Sequence, residues 1–530
     1  MTNDFDSIKD SNVILVIGSN TTEAHPVAGS FIRERIRAES DSAKLIVCDP
    51  RRIELAKDAA IYMQQKIGTD VALINCMINV ILREELHNEE FIEKHTENFE
   101  ELKKSVEKYT PQKVERITGV PREQIIDAAW TYANGKNSAI FYTMGITQHT
   151  NGTDNVRALS NLALLCGMFG RSGVGVNPLR GQSNVQGACD VGCLPTDVPG
   201  YQKVSKQETK EKIKALLGFE LPETEGKSVV KMTNAAGEGK IKGLFIMGEN
   251  PMVSDPDTNH ARHALSKLDL LVVQDIFLTE TAQMADVVLP AACWGEKEGT
   301  FTNTCRTVQR VRKAVAPPGE AKPDWQIIME LAAFFGVKWS YASPSDVFDE
   351  IAKINPAYAG ISYKRIEEKG LSWPCPASDH PGTPILHVGK FVRSNGKAKF
   401  IPTEWRSPHE EIDAEYPFIA NTGRILYHYH TGSMTRRSVT AKFINRLQIE
   451  INPIDAANMK INQGDMICVS SRRGKIEGEA LITERTPKGS IFVPFHFGEA
   501  PANTLTSSET DPHSETPPFK ISAVKVEKTS

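Results

Sequence analysis

The sequence predicts an α/β protein with two doubly wound sheets and a C-terminal β-barrel. Three observations predict it. Short apolar runs end in glycine and feed helical stretches, this arrangement occurs twice, and the last third of the chain changes to brief alternating segments.

The first run, Asn12 to Gly18, is continuously apolar and ends in glycine, the pattern of a parallel strand covered on both faces. Ser19 and Asn20 form the loop, Val27 to Ala38 reads as a helix, and Lys44 to Pro50 is a second strand closed by Asp49. This β-loop-α-β order predicts a nucleotide-binding half. Thr69 or Asp70 can cap a helix from Val71 to about Glu85, short helices fill Glu90 to Asn134 with Pro121 in a first turn, and Ala139 to Gly145 returns to strand. The second copy runs from Ile241 to Gly248, through Glu249-Asn250-Pro251, to a strand from Leu268 to Asp275. Glycine and acid are 31 residues apart in the first copy and 27 in the second, so two similar ligands, or two halves of one, are expected.

Helices are predicted at Trp325 to Phe335 and Asp346 to Ile354, and Pro374, Pro376, Pro381 and Pro384 mark a linker. The barrel strands are read at Lys399 to Pro402, Tyr416 to Ala420, Leu447 to Ile451, Asp465 to Ser470, Gly474 to Ile482 and Gly489 to Pro494. The predicted division is 1–182 and 183–294 for the two α/β domains, 295–387 for a connecting segment and 388–530 for the barrel.

Composition narrows the function classes. At 530 residues the chain exceeds one compact core, and 40% hydrophobic against 24% charged residues excludes disorder. No apolar run approaches the ~18 residues of a membrane span. A net charge of −4 without a basic tract disfavours nucleic acid. Met1 leads into an acidic polar stretch, so a reducing cytoplasm is the expected location, and nine scattered cysteines fit reduced thiols.

The densest signal is Gly167 to Asp190. Six glycines fall in these 24 residues, where a chain with 37 in 530 would place about two, so either a ligand lies close or the turns are tight. Arg180 is the only cation between Arg171 and Lys203. Two readings stand: its planar fork receives a carboxylate substrate, or it holds loop carbonyls. At Gly18-Ser-Asn20 and Gly248-Glu-Asn250, backbone N–H groups can receive phosphate while Asp49 and Asp275 accept from ribose or base donors. Ordinary parallel-sheet loops look the same, and the duplication favours the ligand reading. Neither copy has G-x-G-x-x-G, which disfavours plain nicotinamide binding. Cys189 and Cys193 read as metal ligands or, preferably, as buried thiols. His428 and His430 alternate along an apparently extended segment, so one hydrogen-bonding histidine is expected rather than a shared metal.

Taken together, Val47-Cys-Asp-Pro-Arg51, Met144-Gly-Ile-Thr-Gln148, Gly175 to Asp190, Met247-Gly-Glu-Asn-Pro251, Val273 to Ala282 and Ala285-Asp-Val-Val-Leu-Pro290 resemble the molybdenum/tungsten bis-pterin oxidoreductases of the dimethyl-sulfoxide-reductase family, and within it the formate dehydrogenase catalytic subunits. The resemblance extends to the chain's end. It implies two molybdopterin guanine dinucleotides carrying molybdenum or tungsten, and a double-psi-like barrel closing over both. By that likeness Gly18, Asn20, Asp49 and Asp70 serve one cofactor, and Arg51, Gly145, Gln148, Gly181, Gln182 and Gln274 are further cofactor-binding candidates. Gly248, Asn250 and Asp275 serve the other cofactor. Arg424, His428, Ser433, Thr435 and Asn503 match the barrel's cofactor-facing stretches, and Arg180 matches the arginine that orients formate.

The resemblance also implies a 4Fe-4S segment and a cysteine or selenocysteine metal ligand ahead of these motifs. No C-x-x-C pair occurs here, so this chain assigns no metal-ligating residue and reads as the larger C-terminal part of a catalytic subunit, inactive alone. A selenocysteine codon read as a stop, or a split enzyme, would each produce it. The implied partners are formate and carbon dioxide, the remaining part of the subunit and an iron-sulfur electron-transfer subunit. The rivals are a nitrate reductase or other oxidoreductase of the same family, and a non-catalytic cofactor-binding protein.

Overall fold

The computed structural model describes residues 1–38 and 42–529, and the chain divides into two units. The first comprises residues 1–179, 253–259 and 385–530, and the second residues 180–252 and 260–384.

The first unit opens on a five-stranded parallel sheet built from β1 (Val13–Ile17), β2 (Lys44–Cys48), β3 (Ile61–Met63), β4 (Ser138–Tyr142) and β5 (Gly175–Pro178), in the order β3-β2-β1-β4-β5. The order reverses between β1 and β4, so the carboxyl ends of those two strands border a crevice. Every residue of β1 and β4 is buried, as a central strand covered on both faces requires. Helices α1 (Pro26–Ala38), α2 (Asp70–Arg83), α3 (Arg122–Asn134) and α4 (Gly152–Leu165) cover the sheet. The α2 helix has an unbroken buried run from Asp70 to Ile81 and packs against α3 and α4.

The same unit contains a closed six-stranded barrel: β11 (Phe418–Gly423), β12 (Gln448–Ile451), β13 (Met466–Ser470), β14 (Lys475–Ile482), β15 (Ser490–Pro494) and β16 (Ser522–Lys528). Its order is β11-β15-β12-β14-β13-β16, and the β11/β15 and β12/β14 pairs are parallel. Alternating side chains of β13 and β14 turn inward, with Ile467, Val469, Ile476 and Ala480 in the core. The sequence reading missed β16 and put Lys399 in the barrel. Instead Ala398–Lys399 pairs with Thr96–Glu97. Closure needed a sixth strand, and β16 joins β11 to β13.

In the second unit, α5 (Val185–Asp190) follows Arg180, and β6 (Gly243–Met247), β7 (Leu270–Asp275) and β8 (Val287–Pro290) form a parallel sheet ordered β8-β7-β6. An antiparallel hairpin, β9 (Gly299–Thr302) and β10 (Thr307–Val311), and helices α6 (Asp324–Phe334) and α7 (Pro344–Ile354) follow. Phe245 and Met247 of β6 and Phe334 at the end of α6 are exposed, Phe334 at 90%.

Candidate functional site

Gly18 leaves β1 with φ +55°, and a Cβ there would sit 2.8 Å from the backbone carbon of Gly145. Gly145 returns the constraint, since its own Cβ would lie 2.4 Å from Gly18 O. Two chain segments therefore touch backbone to backbone at the switch point, joined by Gly145 N donating to Gly18 O at 3.1 Å and Thr143 Oγ1 at 2.9 Å.

Asn20 stands at the start of a short helix without capping it, and both polar atoms of its buried carboxamide have no protein partner. A buried amide left in this state costs free energy unless a ligand completes it. Asp49, 8% exposed at the end of β2, accepts from Arg51 N at 2.9 Å, and burial pushes its carboxyl up to about 7. Asp70 begins α2, accepts from Gln65 Nε2 at 3.2 Å, and is pushed up to about 6 by burial. Lys520, which the sequence reading missed, is buried and donates to Thr422 O at 2.8 Å. Burial pulls it down to about 8 while the Asp49 charge opposes that shift. A single lysine in the apolar Pro518-Phe-Lys-Ile521 run was the signal. The backbone carbonyl of Gln148 accepts from Lys520 N at 3.4 Å.

The remaining first-unit candidates are engaged within the protein. Arg51 pairs with Glu450. Arg424 donates from Nη1 to Ala24 O at 3.2 Å and meets His430 Nε2 through Nη2 at 2.8 Å. His428 bonds Thr435 Oγ1 at 3.0 Å and Ile444 O at 2.7 Å, and Ser433 Oγ lies 3.0 Å from Thr431 Oγ1. Asn503 donates to the carbonyls of Val253 and Ser254 at 3.0 and 2.8 Å. The segment carrying His428 and His430 is a turn rather than an extended strand, with His430 at φ +45°, so the two rings are oriented by the turn and not by strand alternation.

The second unit repeats the backbone pattern of the first. Gly248 N donates to Gln274 O at 2.8 Å, as Gly18 N donates to Cys48 O at 2.9 Å. Asp275 accepts from Phe277 N at 3.0 Å, as Asp49 accepts from Arg51 N, two residues on in each case. The copies differ at their asparagines. Asn250 Nδ2 donates to Glu280 at 2.7 Å and its Oδ1 accepts from Thr281 N and Oγ1 at 3.1 and 2.7 Å. Gln274 is fully buried and donates to Asp324 at 2.7 Å, leaving its Oε1 without a protein partner.

Arg180, half-buried, donates from Nε to Gln186 Oε1 at 3.0 Å, and its backbone N donates to Thr304 Oγ1 at 3.1 Å. Gln186 Nε2 donates to Asp190 Oδ1 at 2.7 Å. The hydroxyls of Tyr201 and Tyr358 donate to the same carboxylate at 2.7 and 2.8 Å. Burial pushes Asp190 up, and these donated bonds pull it back. Gly181 is half-buried and Gln182 exposed. Cys193 is exposed and Cys189 partly so, which overturns the buried-thiol reading, because the turn that follows α5, from Val191 to Leu194, is partly open to solvent. Among the described residues no group of histidine, cysteine and acidic side chains could hold a metal, and no helix is long and apolar enough to cross a membrane.

Paired glycine-to-acid loops at the carboxyl ends of parallel sheets are the arrangement of nucleotide-binding α/β proteins. The chain belongs to the molybdopterin oxidoreductase family: residues 1–334 match the family model "Molybdopterin oxidoreductase", and residues 418–523 match "Molydopterin dinucleotide binding domain". It is 51% identical to the F420-dependent formate dehydrogenase subunit alpha of Methanocaldococcus jannaschii, over all of this chain and 78% of that protein. It is 39% identical to formate dehydrogenase H of Escherichia coli, over 99% of this chain and 74% of that one. Among solved structures, acetylene hydratase from Pelobacter acetylenicus shares the fold with a TM-score of 0.78 at 21% identity, covering 99% of this chain and 79% of that one.

Proposed function

We propose that this chain forms the cofactor-binding and substrate-orienting body of a formate dehydrogenase catalytic subunit, interconverting formate and carbon dioxide. The observation that carries the reading is identity of 51% sustained over the whole chain with a protein named as a formate dehydrogenase alpha subunit. The residues present fit a guanine-dinucleotide pterin cofactor: Asn20 offers an unsatisfied buried donor and acceptor, Lys520 a desolvated cation for phosphate, and Asp49 and Asp275 acceptors for ribose or base N–H groups. In the first unit Gly18 and Gly145 bring backbone close, with Asp70 and Gln148 as further candidates for that cofactor half, and in the second Gly248, Gly181, Gln182 and Gln274 are the corresponding candidates. Arg51, Arg424, His428, Ser433, Thr435 and Asn503 are further cofactor-facing candidates, each held in place by its protein contacts.

Bound, the cofactor would supply a molybdenum or tungsten centre with the two-electron redox chemistry that formate oxidation requires. Arg180 binds the formate carboxylate through paired N–H donors and orients its C–H bond, and exclusion of water strengthens that pairing. The side-chain ligand to the metal, the proton acceptor and the 4Fe-4S cluster then come from polypeptide outside these residues, and an iron-sulfur partner carries electrons away. The exposed Phe334 and Phe335, adjacent at the end of α6, support association with further polypeptide. The reading assigns one guanosine to the first α/β domain, the other to the second, and a cytoplasmic location to the enzyme.

The test is Arg180→Ala in the assembled holoenzyme with full metal and pterin content. The kcat/KM for formate is expected to fall about 10²- to 10³-fold. Unchanged formate turnover refutes the reading.

A further inference from the structure

We propose that Gln186 is a positioning residue for Arg180, holding its guanidinium for the substrate through a neutral amide braced on Asp190. The inference rests on the reading of Arg180 as the formate-binding cation.

The amide's orientation is dictated by its neighbours. Arg180 Nε can only donate, so Gln186 must turn Oε1 toward it, which leaves Nε2 to donate to Asp190 Oδ1. Gln186 and Asp190 lie four residues apart on α5 and share one face. Both are buried, at 3% and 1% exposure. Asp190 is itself fixed: Tyr358 and Tyr201 donate to its carboxylate, and its backbone carbonyl accepts from Gly200 N at 2.8 Å and Asn355 Nδ2 at 3.2 Å. Thr302 Oγ1 lies 3.0 Å from the Tyr358 hydroxyl and anchors the far end.

The amide does what a carboxylate in its place would not. It passes the orienting influence of Asp190 to Arg180 Nε while keeping a negative charge off that nitrogen. A glutamate at 186 would pair with the guanidinium and compete with an anionic substrate for it, so the expected signature is weaker substrate binding with the chemical step largely preserved.

Holoenzyme carrying Gln186→Glu is assayed with formate and a dye acceptor, with metal, pterin and thermal midpoint measured alongside. The KM for formate is expected to rise tenfold or more while kcat falls less than threefold. A KM within twofold of wild type overturns the proposal. Should that variant fail to assemble, Asp190→Asn, which weakens the hydrogen bond bracing the amide, is expected to raise KM at least threefold, and an unchanged KM is the overturning result. Arg180→Ala separates the two readings. If it leaves formate kinetics intact, the substrate reading falls and this one with it. If it abolishes them while Gln186→Glu is neutral, only the positioning role falls.

Discussion

Arg51 and Glu450, 399 residues apart in sequence, form a two-pronged ion pair that ties the end of β2 to the barrel strand β12. Arg51 Nε donates to Glu450 Oε2 at 2.7 Å and Nη2 to Oε1, each side chain being only 4% exposed. The guanidinium lies 3.9 Å from the Phe492 ring centre, and Thr486 Oγ1 donates to the carboxylate at 3.0 Å. Removing one partner of such a pair strands a buried charge, which costs more than the pair itself contributes. Arg51→Met is expected to destabilise the chain by ~3–5 kcal/mol, toward the low end because Arg485 remains 3.8 Å away. Arg51→Met with Glu450→Leu should recover more than half of that loss in guanidinium unfolding. Equal losses in the single and double variants would show that the stranded charge is not the cause.

The two glycine loops provide a paired test. Both Gly18 and Gly248 have positive φ, at +55° and +65°, but a Cβ at Gly18 meets backbone at 2.8 Å, whereas nothing lies within 4 Å of one at Gly248. Gly248→Ala therefore incurs only the left-handed backbone cost, ~1–2 kcal/mol. Gly18→Ala incurs that and a backbone displacement against Gly145, so its thermal midpoint should fall well below that of the Gly248 variant. Equal midpoints would mean that the close approach is relaxed in solution.

Much of this was legible in the sequence because it is local. The strands ending at Gly18, Asp49, Gly248 and Asp275, the helix from Asp70 and five of the six barrel strands follow from runs of a few residues whose periodicity is set by their own burial. What escaped depends on long-range pairing. Nothing near Arg51 announces Glu450, and nothing near Arg180 announces Tyr358. Lys399 has the neighbours of a barrel strand, yet its partner is Glu97. The His428 segment reads as extended until the positive φ of His430 turns it.

Asn20 and Asn250 hold equivalent places in the two loops and should respond oppositely to truncation. Asn20 leaves both carboxamide atoms unpartnered, so Asn20→Ala removes a desolvation cost and should leave the cofactor-free chain as stable or more stable by about 1 kcal/mol. Asn250→Ala strips partners from Glu280 and Thr281 and should cost ~1–3 kcal/mol. In holoenzyme, Asn20→Ala should lower the guanine nucleotide recovered per chain at least threefold. Full recovery with Asn20→Ala would detach that residue from the cofactor.

Asp49 gives the site a pH signature. Its ordinary value of 3.8 rises to about 7 on burial, so between those values the folded chain holds a proton that the unfolded chain has released. The stability contributed by the neutral carboxyl is therefore complete below pH ~4 and lost as pH rises through 7. Asp70 acts in the same direction, to about 6. His149, pulled down to about 4 by burial, acts oppositely up to its ordinary 6.5, so the total profile mixes signs. A comparison of wild type with Asp49→Asn isolates one group. The variant should gain on wild type by on the order of 4 kcal/mol between pH 4 and 7.5, at 1.36 kcal/mol per unit. A ligand whose N–H groups donate to Asp49 selects the ionised form and releases that proton. Guanosine diphosphate should accordingly bind the cofactor-free chain roughly tenfold more tightly at pH 8 than at pH 6, and Asp49→Asn should flatten the dependence. Calorimetric titration at the two pH values decides it: equal affinities in wild type would mean that Asp49 does not face the base or ribose.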